Sequence, residues 1–290
     1  MNLTCLHERE SYAEWHDPGK PVILFIHIAE SRMIDHMALA QVHWYSPLLK
    51  KSVGMNVILP ETGVGPFATL YLLHGLSDDY TTWQRRSRIE WYVRDLPLIV
   101  VMADGGRDFY TDNAQGPPYA QFFGHELPDF VERNFPARSD RDGRCISGLS
   151  MGGYGALRMA MGFPERFNSA TSHSGALLAW RYDPTFTSLG ADEHRRIFGP
   201  SADGSAHDLI ALTKTALQKG TLPHLRIDCG TEDSLLPSNR LFTETLRELN
   251  IPFEYAEYAG NHNWDYWDRH IQEAIAFHLS HSAAFEVFPA

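Results

Sequence analysis

Residues 145–157 read CISGLSMGGYGAL, a short apolar run that leads to a serine flanked by glycines and then to a segment of helical spacing. The pattern G-x-S-x-G extends from Gly148 to Gly152 and is typical of a nucleophile elbow, in which a strand turns sharply into a helix and holds the serine in strained dihedral angles. Side chains two residues before or after Ser150 would collide there. We therefore predict that Ser150 lies at the tip of a strand-to-helix turn.

The segments on either side of Ser150 fit this turn. Residues 144–149 suit a buried strand, and apolar residues recur at helical spacing over 151–162, with Pro164 just beyond. A five-residue match is weak on its own, because glycine and serine are common. The succession of strand, serine and helix supports the elbow, and the helix N-terminus would favour negative charge beside Ser150.

The composition bounds the size of the fold and the class of partner. The chain has 290 residues, of which 43% are hydrophobic, and a formal net charge of −11. This apolar content suffices for one large α/β domain. A nucleic-acid partner would need clustered Lys and Arg to neutralise phosphates, and the short cluster of Arg85, Arg86 and Arg88 is better interpreted as a solvated helix face. We therefore expect no nucleic-acid partner.

The cysteines and the N-terminus indicate the compartment. The three cysteines, Cys5, Cys145 and Cys229, include no C-x-x-C pair, so neither a disulfide framework nor a zinc site is expected. The N-terminus lacks the basic, apolar and small-residue succession of a signal peptide, and its apolar run over 21–29 is too short to cross a bilayer. The sequence therefore predicts a cytoplasmic protein that binds neither a metal nor a membrane.

Strands that alternate with helices indicate the fold class. Strands are predicted over 41–45, 54–60, 67–73, 98–103, 144–149, 167–172, 225–229 and 253–258. Helices are predicted over 81–96, 119–135 with an interruption at Pro128, 151–162, 237–250 and 264–281. This alternation is typical of an α/β protein with a mostly parallel, doubly wound sheet, here opened by an antiparallel N-terminal hairpin.

Two segments depart from this alternation. Residues 1–36 are polar without a sustained period and are predicted to be an N-terminal extension, or a mis-start upstream of Met33 or Met37, so that the domain spans 37–290. Residues 175–222 are predicted to be a helical insertion after the strand that follows the elbow helix. Such long insertions usually serve as lids or accessory segments.

A serine hydroxyl is a weak nucleophile and needs a base, which in turn needs a group that orients it. Asp233 and His262 each follow a predicted strand late in the chain, His262 in a glycine-led loop. Serine, aspartate and histidine in this order, at the ends of successive strands, match the order that α/β-hydrolases use. We predict Ser150, Asp233 and His262 as catalytic residues, with Glu232 as the rival acid.

An acyl-transfer intermediate carries negative charge on oxygen and is stabilised by two backbone donors. One donor is expected at Met151, the residue after the nucleophile, and the other at Leu76, in the turn after His74-Gly75. The alternative is that His74-Gly75 merely ends a strand.

These motifs resemble those of the putative-esterase (esterase D-like) family of α/β-hydrolases, and within it the tributyrin esterase and S-formylglutathione hydrolase-like branch. The matching segments are Leu73-His74-Gly75, residues 148–156, Gly230-Thr231-Glu232-Asp233 and Gly260-x-His262-x-Trp264. The resemblance covers residues 38–281 and implies the α/β-hydrolase fold. It also implies Ser150 as nucleophile, His262 as general base and then acid, and Asp233 as its orienting group. Leu76 and Met151 would supply the oxyanion donors.

The resemblance implies a serine carboxylesterase that hydrolyses a small-molecule acyl ester of short chain length without a cofactor. Two alternatives stay open. One is thioester hydrolysis, as in S-formylglutathione hydrolases, although these typically carry threonine and cysteine where this chain has Ser77 and Asp78. The other is a hydrolase fold kept only as a binding module. The sequence leaves the oligomeric state open, including a homo-oligomer.

Overall fold

A computed structural model describes residues 37–60, 63–183 and 186–282. The expected N-terminal extension, residues 1–36, lies outside the described residues. Within the described ranges, eight strands form one sheet: β1 (Met37–Ser46), β2 (Lys51–Pro60), β3 (Ala68–Leu73), β4 (Leu98–Ala103), β5 (Arg144–Leu149), β6 (Ser169–His173), β7 (His224–Gly230) and β8 (Glu254–Tyr258).

The strands lie in the order β1-β2-β4-β3-β5-β6-β7-β8. β2 pairs with β1 and with β4 in antiparallel fashion, and the remaining pairs are parallel. The predicted mostly parallel sheet with an antiparallel opening hairpin is therefore confirmed. The α-helices of the described chain are α1 (Thr82–Arg86), α2 (Ile89–Val93), α3 (Tyr119–Gln121), α4 (Leu127–Asn134), α5 (Met151–Gly162), α6 (Ala191–Phe198), α7 (Leu209–Lys219), α8 (Leu236–Glu248) and α9 (Trp264–Ser280).

The central strands are continuous apolar runs because helices cover both faces of the sheet. Every residue of β3, β4 and β5 is buried. Side chains that alternate along a strand point to opposite faces, so Tyr71 packs in one apolar cluster with Tyr154 of α5, and Leu70 packs in the other with Ile271 of α9. The elbow helix and the C-terminal helix therefore cover opposite faces. Among the described helices, none has both the length and the apolar character to cross a membrane.

The helix predicted over 81–96 is two helices, α1 and α2, separated at Ser87. Ser87 adopts extended dihedral angles (φ −132°, ψ 171°), and its hydroxyl donates to the Trp83 carbonyl at 2.5 Å. The next amide, that of Arg88, donates to Asp268 Oδ1 on α9 at 2.7 Å. Apolar spacing continues across this break, so it could not indicate that side-chain hydrogen bonds end the first helix.

The helix predicted over 119–135 is not interrupted at Pro128. α3 leads into a π-helical segment, Phe122–Glu126, which leads into α4. Pro128 lies in the first turn of α4, where a missing amide is tolerated. The irregular part precedes it, around the Gly124 carbonyl, to which a proline four residues on cannot donate. That carbonyl accepts a hydrogen bond from Arg166 Nε at 3.1 Å.

The predicted insertion after β6 contains α6 and α7 within its described part. Asp208 precedes α7, and its carboxylate accepts hydrogen bonds from the Ile210 and Ala211 amides at 2.8 and 3.3 Å. This is the side-chain capping that aspartate provides at a helix N-terminus. The helix ends at Gly220, which adopts a left-handed conformation.

Candidate active site

Ser150 lies between the end of β5 and the start of α5. Its φ of 53° and ψ of −116° fall outside the regions that most residues adopt. Backbone hydrogen bonds hold this conformation, because the Ser150 amide donates to the His173 carbonyl at 2.9 Å and the Ser150 carbonyl accepts from the Ala176 amide at 3.0 Å. A β-carbon on Gly152 would lie 2.5 Å from the Leu73 carbonyl oxygen. The glycine after the serine therefore allows β3 to approach the elbow.

The sheet brings Ser150, Asp233 and His262 together beyond the ends of β5, β7 and β8. Ser150 Oγ lies 3.0 Å from His262 Nε2, and His262 Nδ1 lies 2.9 Å from Asp233 Oδ2. An ionised carboxylate only accepts, so Nδ1 carries the ring proton and donates a hydrogen bond to Asp233. Nε2 is then free to accept from the Ser150 hydroxyl. The rival acid, Glu232, is exposed.

The Asp233 carboxylate is fixed at both oxygens. Oδ2 accepts from His262, and Oδ1 accepts from the Leu235 amide at 2.8 Å. Burial alone would raise the pKa of Asp233, but the hydrogen bond and positive charge of His262, together with the Leu235 amide, outweigh it and lower the pKa below its ordinary value. The His262 ring also packs edge-on against Trp267, with ring centroids 4.9 Å apart. The imidazole is thus oriented by a carboxylate on one side and an indole on another.

The predicted oxyanion donors, Leu76 and Met151, line the same cavity as Ser150. Met151 is the first residue of α5, so its amide has no acceptor within the helix. Leu76 follows the buried His74, whose Nδ1 donates to the Gly75 carbonyl at 2.8 Å and whose Nε2 accepts from a backbone amide of the loop after β4 at 2.9 Å. His74 therefore fixes the turn that presents Leu76, in addition to ending β3.

A cavity of about 710 Å³ opens over Ser150. Its larger apolar walls come from separate parts of the chain: Leu76, Phe109, Phe186, Leu235, Trp264 and Trp267. Phe109 and Tyr110, in the loop after β4, both have positive φ (51° and 52°). Nothing in the motif pattern marked Phe109 as a wall of this cavity. The Gly105-Gly106 turn before it was the one available signal of an irregular loop at a strand end.

A second serine and histidine are hydrogen-bonded on the α9 side of the sheet. Ser147 Oγ lies 2.8 Å from His278 Nε2, and Ser169 Oγ lies 2.7 Å from His278 Nδ1. Ser147 and His278 are 0% and 2% exposed, and neither lines the cavity at Ser150. Burial, with a further contribution from nearby His173, lowers the pKa of His278 to about 3. This pair joins α9 to the sheet and is inaccessible to a substrate.

Comparison with known proteins gives the same family that the motifs resemble. The sequence profile described as Putative esterase matches residues 46–278. An acetyl esterase of Caldicellulosiruptor saccharolyticus is 33% identical over 260 residues, which cover 82% of this chain and 97% of that protein.

Two solved structures from Staphylococcus aureus are similar to this chain. The substrate-bound fluorophosphonate-binding serine hydrolase F (FphF) is 31% identical, with a TM-score of 0.78, and the match covers 84% of this chain and 98% of that one. The apoenzyme of an S-formylglutathione hydrolase (FrmB) is 32% identical, with a TM-score of 0.76, and covers 84% and 99%. The α/β-hydrolase fold is therefore confirmed, and the chain belongs to the putative esterase family as a hydrolase enzyme.

Proposed function

We propose that this enzyme is a serine carboxylesterase for short-chain acyl esters, with Ser150 as nucleophile, His262 as general base and acid, and Asp233 as the group that orients His262. The observation that carries the proposal is the single ring of His262 between Ser150 Oγ at 3.0 Å and Asp233 Oδ2 at 2.9 Å. Both distances lie within the reach that proton transfer requires.

The first step forms an acyl-enzyme. Ser150 Oγ attacks the ester carbonyl carbon while His262 Nε2 takes the hydroxyl proton, and the resulting imidazolium is stabilised by the Asp233 carboxylate. The carbonyl oxygen becomes an oxyanion beside the amides of Leu76 and Met151. The intermediate then collapses as the bond from carbon to the alcohol oxygen breaks, and His262 donates its proton to the leaving alcohol.

The second step releases the acid. His262, neutral again, takes a proton from water as the water oxygen attacks the acyl-enzyme carbonyl. The intermediate then collapses as the bond from the acyl carbon to Ser150 Oγ breaks, and His262 returns the proton to Oγ. Each proton is passed between substrate, water and side chains, so the cycle needs neither a metal nor an organic cofactor. Activity is therefore expected to survive dialysis against a chelator.

The preference for short acyl chains is supported by the cavity and by a relative. The cavity over Ser150 has aromatic walls on several sides, including Phe109, Phe186 and Trp264. The relative with 33% identity is named an acetyl esterase. We propose small acyl groups such as acetyl and butyryl as the natural class.

The test is initial-rate hydrolysis of p-nitrophenyl esters from acetate to decanoate by the wild type, Ser150→Ala and Ser147→Ala. Ser147→Ala is a matched control, because it removes the other serine that is hydrogen-bonded to a histidine. We expect the short esters to turn over fastest, Ser150→Ala to lower kcat by about 10³-fold or more, and Ser147→Ala to retain turnover. A folded Ser150→Ala variant with wild-type turnover would contradict the proposal.

Thioester hydrolysis is the second candidate, because a similar solved structure is named an S-formylglutathione hydrolase. Rates on S-formylglutathione and on a formate ester of a simple alcohol separate the two functions. We expect the oxygen ester to have the higher kcat/KM. The reverse order would assign the enzyme to thioesters while leaving the roles of Ser150, His262 and Asp233 unchanged.

We also propose a cytoplasmic location. It is supported by Cys145 and Cys229, which are both buried free thiols, as proteins of a reducing compartment usually retain. Cell fractionation, with the protein detected in each fraction by an antibody, tests this location. Recovery of the protein in an extracellular or envelope fraction would contradict it.

A further inference from the structure

The carboxylate of Asp78 belongs to the same cavity as Ser150 and His262, yet the proposed mechanism gives it no task. Gly75 lies between the side chains of Asp78 and Ser150 and defines the position of the carboxylate. A β-carbon built on Gly75 would be 3.3 Å from Asp78 Oδ2 and 3.7 Å from Ser150 Cβ. The carboxylate and Ser150 therefore lie around the same glycine, on the turn that also presents Leu76.

Within the described part of the chain, no lysine, arginine or histidine lies within ion-pair distance of Asp78. The adjacent Asp79 differs, because its carboxylate accepts from the Thr81 amide at 2.8 Å and lies 3.7 Å from Arg85. Arg107 approaches the same turn and hydrogen-bonds Ser77, but it is paired with Glu193 at 2.8 Å. Asp78 thus keeps its negative charge uncompensated by an ion pair.

Among the described residues that line the cavity, Asp78 is the only carboxylate, and none is a lysine or arginine. Asp78 is only partly exposed. Burial raises its pKa from 3.8, while the positive charge of Arg86 and the amide of Gly75 oppose the increase. An assay at pH 8 lies well above the range in which carboxyl groups ordinarily titrate. A charge held in such a cavity acts on a bound ligand more strongly than one in bulk water.

We propose that Asp78 is a specificity-determining residue that selects esters by charge, favouring small esters with an ammonium group near the scissile carbonyl and disfavouring those with a carboxylate there. The inference rests on the proposed esterase function and names the substrate class within it. Asp78 touches no bond that forms or breaks. Its effect is electrostatic, so it should act on the ratio of rates between charged and neutral substrates of equal shape.

Two pairs of substrates isolate this charge effect. Acetylcholine has a cationic nitrogen where 3,3-dimethylbutyl acetate has a neutral carbon. Mono-p-nitrophenyl glutarate has a terminal carboxylate where p-nitrophenyl valerate has a methyl group. Their kcat/KM values are compared for the wild type, Asp78→Asn, Asp78→Glu and Glu244→Gln at pH 8. Glu244 is an exposed carboxylate on α8 outside the cavity, so Glu244→Gln is the matched control for loss of one negative charge.

In the wild type we expect a higher kcat/KM for acetylcholine than for its neutral isostere. Asp78→Asn should lower the acetylcholine-to-isostere ratio by about five- to tenfold and raise the glutarate-to-valerate ratio by a similar factor. Asp78→Glu should keep the wild-type ratios, and so should Glu244→Gln. Added salt should reduce the selectivity of the wild type, because screening weakens a charge interaction at a partly exposed site.

Wild-type ratios in folded Asp78→Asn would overturn the inference. If Asp78→Asn does not fold, the salt dependence of the wild-type ratios decides, and ratios that stay constant between low and high salt would overturn it. Failure of the proposed function is distinguishable, since it would abolish turnover of the neutral esters as well. In that event, ligand-observed NMR measures the binding of the two acetates to Ser150→Ala and tests the charge preference without turnover. Equal affinities would overturn the inference.

Discussion

Ser150 retains a backbone conformation that costs about 1 to 3 kcal/mol for a residue other than glycine. The surrounding fold maintains it through the hydrogen bonds to His173 and Ala176. The same turn places β3 so close to α5 that a β-carbon on Gly152 would collide with the carbonyl oxygens of Leu73 and His74. Strain at Ser150 and close approach at Gly152 are therefore two parts of one geometry.

Gly152→Ala is expected to damage both stability and catalysis. The new methyl group would lie 2.5 and 2.6 Å from the carbonyl oxygens of Leu73 and His74, which are backbone atoms that cannot rotate away. The end of β3 must then move, and the Leu76 amide moves with it. We expect a loss of about 1 to 3 kcal/mol in the free energy of unfolding and about tenfold or more in kcat, measured by chemical denaturation and by p-nitrophenyl butyrate hydrolysis. Gly190→Ala, at a glycine with no atom within 4 Å of its added methyl, is the control.

Asp233→Asn tests whether the charge at this position, rather than its shape, supports catalysis. The amide preserves the size of the side chain but removes the negative charge that stabilises the imidazolium, and it allows His262 to adopt the other tautomer. We expect kcat to fall by about 10³- to 10⁴-fold. Glu232→Gln removes the exposed carboxylate one residue earlier and should change kcat little. Equal losses in the two variants would mean that Asp233 has no special role.

At the scale of elements, sequence patterns predicted the strands and their order along the chain better than the paths of the loops between them. The strand-to-helix turn at Ser150 carries its own sterically required glycines, and Asp233 and His262 follow strands. The sequence could therefore predict that these three side chains lie together, as they do in the structure. Phe109, one wall of the cavity, was not predicted. It lies in a loop whose path depends on contacts with distant parts of the chain, and no local pattern encodes those contacts.

The helix boundaries show the same limit. Apolar spacing predicted one helix where Ser87 separates two, because hydrogen bonds from its hydroxyl and from the Arg88 amide ended the first helix. Pro128 gave the opposite error, since a proline in a first turn is tolerated and the irregular geometry lies before it. Spacing reports which face of a segment is apolar, whereas capping and side-chain bonding decide where the segment ends.

The insertion after β6 contributes Phe186 to the cavity over Ser150. Phe186→Ala should let the cavity accept longer acyl chains, because the phenyl ring is only partly buried and its removal enlarges the cavity at that wall. We expect the ratio of kcat/KM for p-nitrophenyl octanoate to that for the acetate to rise by about threefold or more. Tyr182→Ala, at an exposed aromatic of the same insertion that does not line this cavity, should keep the wild-type ratio. A ratio unchanged by Phe186→Ala would exclude this wall from acyl-chain selection.

At the scale of the whole molecule, a buried polar network links the sheet to α9. His278 contacts Ser147 of β5 and Ser169 of β6, and Ser147 also contacts Thr171 at 2.5 Å. β6 continues from Ser169 to His173, whose carbonyl accepts a hydrogen bond from the Ser150 amide. A neutral imidazole satisfies this network as one donor and one acceptor, whereas a charged ring would have to be buried without a carboxylate partner.

This network predicts how the stability of the fold depends on pH. Burial lowers the pKa of His278 in the folded protein to about 3, from an ordinary value of 6.5. Between these values the unfolded chain binds a proton at this residue and the folded chain does not, so the free energy of unfolding should fall as pH decreases from about 6.5 toward 3, by up to about 1.4 kcal/mol per pH unit. Above pH 6.5 this contribution is constant.

Denaturant unfolding from pH 8 to pH 4 measures this slope in the wild type and in His278→Gln. The glutamine keeps a donor and an acceptor for the two serines but cannot be protonated, so the variant should be less stable at pH 8 and should lose less stability on acidification. His43→Gln removes a histidine that stays exposed on β1 and should reproduce the wild-type slope. Parallel pH profiles for the wild type and His278→Gln would mean that the buried ring is not what couples this fold to acid, because the proton taken up on unfolding would then belong to other groups.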